Sequence, residues 1–189
     1  MSVGAAVALV FLAAAADRPA WIGEAVALGS TKAPLDVYRV GGDVAVEYTT
    51  PFLRVARAAN KIVREGRIPR AQDIEAKAWV PELRVLAGVL PVTETGRPAA
   101  FAAPRSARLI LGAAEAKATR METGTEKQVV SLDGGAPQTI NGGTLKAVFE
   151  VRGQAPLGAE LEVRYVLSRG GRDQEIVKRV PIDFRKTRW

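Results

Sequence analysis

The chain has 189 residues, 48% of them hydrophobic, which suits one domain with an apolar core and argues against a disordered chain. It contains neither cysteine nor histidine, so disulfides, thiolate nucleophiles, Cys/His zinc sites and histidine-based triads are excluded. The net charge of +7 is concentrated: Thr49–Arg70 carries six bases against Glu65, Lys178–Trp189 carries five against Asp183, and the remainder is slightly acidic.

Val3–Ala16 is an uncharged apolar run of 14 residues that ends in Ala14-Ala15-Ala16 before Asp17. It fits the apolar region and small-residue cleavage site of a secretory signal peptide, although Met1 and Ser2 supply no base. The run is shorter than the ~20 residues of a spanning helix. The expectation is a signal peptide over residues 1–16, a secreted or periplasmic protein, and no transmembrane helix in the mature chain.

Asp17–Thr31 carries no clear periodicity. Asp36–Tyr48 reads as a hairpin around Gly41-Gly42, with Val44, Val46 and Tyr48 alternating onto one face. Thr50 before Pro51 is a helix start signal, and Phe52, Val55, Ala56, Ala59, Ile62 and Val63 recur at helical spacing as far as Gly66. An amphipathic helix is expected over about residues 51–65, with a second short helix over Pro69–Ala78. Trp79, just before Pro81, is placed as a core plug at the junction of helix and sheet.

From Glu82 onward the pattern is β-type. Leu83–Leu90, Ala107–Leu111, Lys127–Leu132, Leu145–Arg152, Glu160–Leu167 and Glu175–Phe184 are short runs separated by turn signals such as Gly134-Gly135, Gly142-Gly143 and Gly170-Gly171. The alternation in Glu160–Leu167 is that of an antiparallel strand with one wet face. The expected fold is mainly β, an immunoglobulin-like antiparallel sandwich carrying one amphipathic helix on its outside. The mature chain, 17–189, reads as a single domain: a helix-containing part (17–80) packed on a sandwich (82–184), then a basic tail (185–189). Pro181 places an edge strand or a bulge in the last run.

No motif names a reaction. The chain lacks G-x-G, G-K-[ST], G-x-S-x-G and S-x-x-K, so dinucleotide, P-loop and common serine-hydrolase readings have no support. Glu160 and Glu162 share a strand face at ~7 Å, within reach of an inverting glycosidase pair, yet any E-x-E strand offers that spacing and a solvated charged face explains it as well. The stretch Asp133–Gly143 lacks a calcium-loop pattern and reads as a flexible loop. No catalytic residue, cofactor or metal is assigned.

Arg54, Arg57, Lys61 and Arg64 follow spacings of three, four and three, which puts them on one helical stripe. Such a stripe is ordinarily the wet side of a surface helix. Its functional reading is a partner face for an acidic protein or an anionic envelope polymer; no nucleic acid is expected, since no aromatics are interleaved with the bases. The leading expectation is therefore an exported, non-catalytic binding or interaction protein of the bacterial envelope or extracellular space. The alternatives are a carboxylate-dependent hydrolase acting on polysaccharide, and a structural or assembly subunit pairing through an edge strand.

Overall fold

The computed structural model describes residues 18–31, 38–41, 44–89, 93–94, 97–98, 101–130, 138–151, 157–169 and 171–185. The expected signal peptide, the Gly134-Gly135 turn and the last residues of the basic tail lie outside them. Among the described residues two α-helices, α1 (Ile22–Gly29) and α2 (Pro51–Arg64), accompany eleven strands. The strands are β1 (Tyr38–Gly41), β2 (Val44–Thr49), β3 (Glu82–Val89), β4 (Thr93–Glu94), β5 (Arg97–Pro98), β6 (Phe101–Leu111), β7 (Ala114–Lys117), β8 (Arg120–Val130), β9 (Gln138–Glu150), β10 (Gly158–Arg169) and β11 (Arg172–Asp183).

Strand alternation builds the mainly-β core. An antiparallel sheet in the order β1-β2-β3-β9-β8 faces a second in the order β11-β10-β6-β7, while β4 and β5 form a two-stranded pair. Val44, Val46 and Tyr48 of β2, Leu83 and Val85 of β3, and Leu145 and Phe149 of β9 point inward and are buried against Leu109, Leu161, Val163, Tyr165, Val180 and Ile182 of the other sheet. Each such side chain contributes about 1.5–3 kcal/mol by leaving water. Tyr48 also closes the gap between the sheets: its hydroxyl donates to the Asp183 carbonyl at 2.8 Å, and its ring meets Phe184 edge-on. The hydroxyl thus has a partner where an unpaired one would oppose burial.

Irregularities fall where the residues demand them. Arg164 of β10 faces Ser106, but Tyr165 faces Pro104, so Arg105 is an extra residue in β6. Proline is tolerated there because β7 pairs with Arg108–Leu111 and, among the described residues, no strand pairs with that end of β6 on the other side. Pro181 does lie on an edge strand, β11. Gly142-Gly143, expected as a turn, is instead inside β9, so the second half of the expected loop is strand. A Cβ at Gly143 would collide with the Ala102 carbonyl and the Pro104 ring, so glycine there permits the close approach of β9 to β6.

Helix α2 and two short turns fill the connection between β2 and β3, which are antiparallel neighbours, while α1 precedes β1 in the chain. Thr50 caps α2 by accepting from the Leu53 amide at 3.3 Å, with Pro51 at the first position. At the other end Gly66 takes φ +77°, and the Gly66 and Arg67 amides return to the carbonyls of Val63 and Ile62. The buried face of α2 packs mainly on α1, with Ile74 and Trp79 completing the cluster around Phe52, Val55 and Ile62. Val63, counted with that face in the sequence, is 36% exposed at its margin. The short helix expected over 69–78 is two single 3-10 turns, Ala71–Asp73 and Ala76–Ala78; the Asp73 carboxylate accepts from the Arg70 amide and holds the first one tight. Helix α1, β7 and the β4–β5 pair had no counterpart in the sequence reading.

Candidate functional site

The four bases of the α2 stripe divide into two pairs. Arg54 turns inward: its Nε donates to the Ala78 carbonyl at 3.1 Å, Nη1 to the Glu82 carbonyl at 2.6 Å, and Nη2 to the Val80 carbonyl. Burial lowers its pKa to about 10, the nearby Arg84 pushes the same way, and Glu82 opposes. Arg54 therefore stays charged at neutral pH and its fork is committed to the backbone. Arg57 donates from Nη1 to Thr49 Oγ1 at 2.9 Å and pairs through Nη2 with Glu47 Oε1 at 3.0 Å. Lys61 and Arg64 stay exposed in the last turn, where cations complement the negative end of the helix dipole.

Tertiary structure assembles a second basic surface that the sequence reading did not find. On the outer face of the five-stranded sheet, Thr49, Arg84, Val148 and Arg120 stand opposite one another on one rung across β2, β3, β9 and β8. Glu47, Leu86, Lys146 and Glu122 form the neighbouring rung. These rungs line a groove of about 380 Å³. A second cleft of about 310 Å³, lined by Arg54, Arg57 and Lys77, shares Thr49 and Arg84 with it, so the basic surface runs from the underside of α2 onto the sheet. Glu82 steadies its near side, 3.3 Å from Arg84 and 3.6 Å from Arg120. In the sequence, Arg84, Arg120 and Lys146 are isolated outward bases on three strands, and only register makes them neighbours.

Glu160 and Glu162 do share the outer face of the other sheet, but in different states. Glu162 is 1% exposed and lies opposite Arg108 on β6 and Arg179 on β11. Arg108 donates to it from Nε at 3.0 Å and also from Nη2, Arg164 from Nε at 3.2 Å, and Arg179 from Nε at 3.2 Å. The Arg108 hydrogen bonds hold the carboxyl below its ordinary range, against the opposing effect of desolvation, and Arg164 and Arg179 add to the lowering. A glycosidase acid needs the opposite shift. Glu162 is thus a fixed anion that ties three strands together, and Glu160 is half-exposed with Arg179 Nη1 at 3.8 Å.

Trp79 is buried in the helix cluster, with the Arg18 guanidinium 6.0 Å from its ring centroid. Among the described residues no group of acidic side chains could hold a metal ion, and no helix is long and apolar enough to cross a membrane. Comparison of the chain with known protein families, with curated proteins and with solved structures returned no match.

Proposed function

We propose that the chain is an exported, non-catalytic binding protein of the bacterial envelope or extracellular space, an immunoglobulin-like sandwich whose basic surface receives an acidic protein or an anionic envelope polymer. The observation that carries this reading is the continuity of the basic surface from Arg57 and Lys77 beside α2 to Arg84 and its neighbours on the sheet. Bases outnumber acids along this surface, and an excess of positive charge attracts an anionic partner over about a Debye length, ~8–10 Å at physiological salt. Export rests on Val3–Ala16 and the alanines before Asp17, and the absence of cysteine leaves folding outside the cell to the apolar core.

The test has two parts. Mass spectrometry of the protein from the extracytoplasmic fraction is expected to find Asp17 as the first residue. Capture from envelope extract is expected to recover acidic partners at low salt and to lose them at high salt. Retention of the same partners after joint charge reversal of Lys77, Arg84, Arg120 and Lys146 would overturn the binding reading.

A further inference from the structure

Two cations on the outer face of the five-stranded sheet are set at a spacing that an extended peptide can read. Arg84 and Arg120 flank Val148 on one rung, two strands apart, which at ~4.8 Å per strand separates their backbones by about 10 Å. Lys146 stands one rung along, beside Leu86. The side chains of Arg84 and Arg120 are 48% and 68% exposed and share the Glu82 carboxylate at 3.3 and 3.6 Å, surface contacts weak enough for a partner's acid to replace, and Lys146 is exposed as well. Val148 and Leu86, half-buried, form an apolar floor between them.

Resting on the binding reading above, we propose that this groove takes an extended acidic segment of a partner protein, with Asp or Glu at every third position, laid across the strands. A chain extended as polyproline II advances ~3.1 Å per residue with three residues per turn, so acids three residues apart stand on one side about 9 Å apart and meet Arg84 and Arg120 together. The small side chains between them rest on Val148 and Leu86. Other anions fit less well. Among the described residues no aromatic side chain lines the groove, so these offer no platform for stacking bases. Glu47 and Glu122 flank Leu86 and Lys146 on their rung and repel a polymer charged at every repeat, whereas a peptide can place neutral or basic residues there.

The test is fluorescence anisotropy of the whole protein with a labelled peptide of about twelve residues, glutamate recurring every third position among proline and serine. The wild type is expected to bind it, more weakly at high salt, and more tightly than a peptide with the same glutamates in one block. The triple variant R84Q/R120Q/K146Q, verified as folded by circular dichroism, is expected to lose about tenfold or more in affinity, and K61Q/R64Q to bind within about twofold of wild type. Unchanged binding by the triple variant sinks the proposal, as does equal affinity for the block peptide or stronger competition by polyphosphate of matched charge. Loss of binding in K61Q/R64Q alone would remove this groove while leaving the binding reading standing on α2. Capture of no acidic partner by the wild type at low salt would remove the binding reading itself.

Discussion

The guanidinium of Arg54 on α2 reaches Glu82 at the start of β3, donating to its main-chain carbonyl at 2.6 Å and so bracing the segment that leads from the helices back into the sheet. The same fork holds the Ala78 and Val80 carbonyls. A planar set of donors can satisfy three acceptors at once; an ammonium cannot present the same fork.

Arg54→Ala is therefore expected to destabilise the protein by about 1.5–3 kcal/mol, and Arg54→Lys to recover less than half of that loss. Urea denaturation followed by tryptophan fluorescence measures both, since Trp79 lies beside the braced carbonyls. Full rescue by lysine would show that charge alone mattered.

The sign of Glu162's shift sets a pH dependence. Its folded pKa lies below the ordinary carboxylate value, so its stabilising effect is complete above that ordinary value and disappears as pH falls through the lowered one. Between pH 7 and about 5 the Glu162→Gln variant should differ from wild type by a constant amount, about 1–3 kcal/mol, and the difference should shrink in more acid solution. Denaturation midpoints measured across that range decide it; a gap that widens on acidification contradicts the ion cluster.

Helix α1 offers a paired test of packing against propensity. A Cβ at Gly29 would strike the Ala56 carbonyl and lie 2.8 Å from Ala59 Cβ, so Gly29→Ala should cost about 1–3 kcal/mol by forcing the helices apart. Gly23 has nothing within 4 Å of such a Cβ, and Gly23→Ala should leave stability unchanged or raise it by up to about 1 kcal/mol. Thermal melts should place Gly29→Ala below wild type and Gly23→Ala at or above it.

Edge strand β11 carries Lys178 half-buried on its inward-facing side, between Ile176 and Val180 in the alternation. A charge so placed discourages another strand from adding to the edge. Lys178→Val is expected to increase self-association, read by light scattering behind size exclusion; a variant that remains as monodisperse as wild type would show that Pro181 and the local twist suffice.

Much of this architecture was legible because its signals are local. The Thr50 cap, Pro51 and the apolar spacing from Phe52 to Ile62 define α2, and period-two alternation marks the inward faces of β2 and β10. Strand lengths were underestimated, as in β9, because glycines that end an isolated strand can be held inside a sheet by neighbours on both sides. Helix α1 escaped notice because its apolar residues run almost all round a short segment, leaving no contrast for a period to show, and only packing on α2 selects the buried side.

The site divides in the same way. Residue spacing alone puts Arg54, Arg57, Lys61 and Arg64 on one stripe, and the absence of cysteine and histidine alone removes most familiar chemistry. Spacing along one helix cannot say what lies opposite it. Tertiary structure turned Arg54 onto three carbonyls, tied Arg57 to Glu47, and sank Glu162 beneath three arginines. It also brought Arg84, Arg120 and Lys146 from three strands to one groove, because strand register is a pairing between distant segments that no local period encodes.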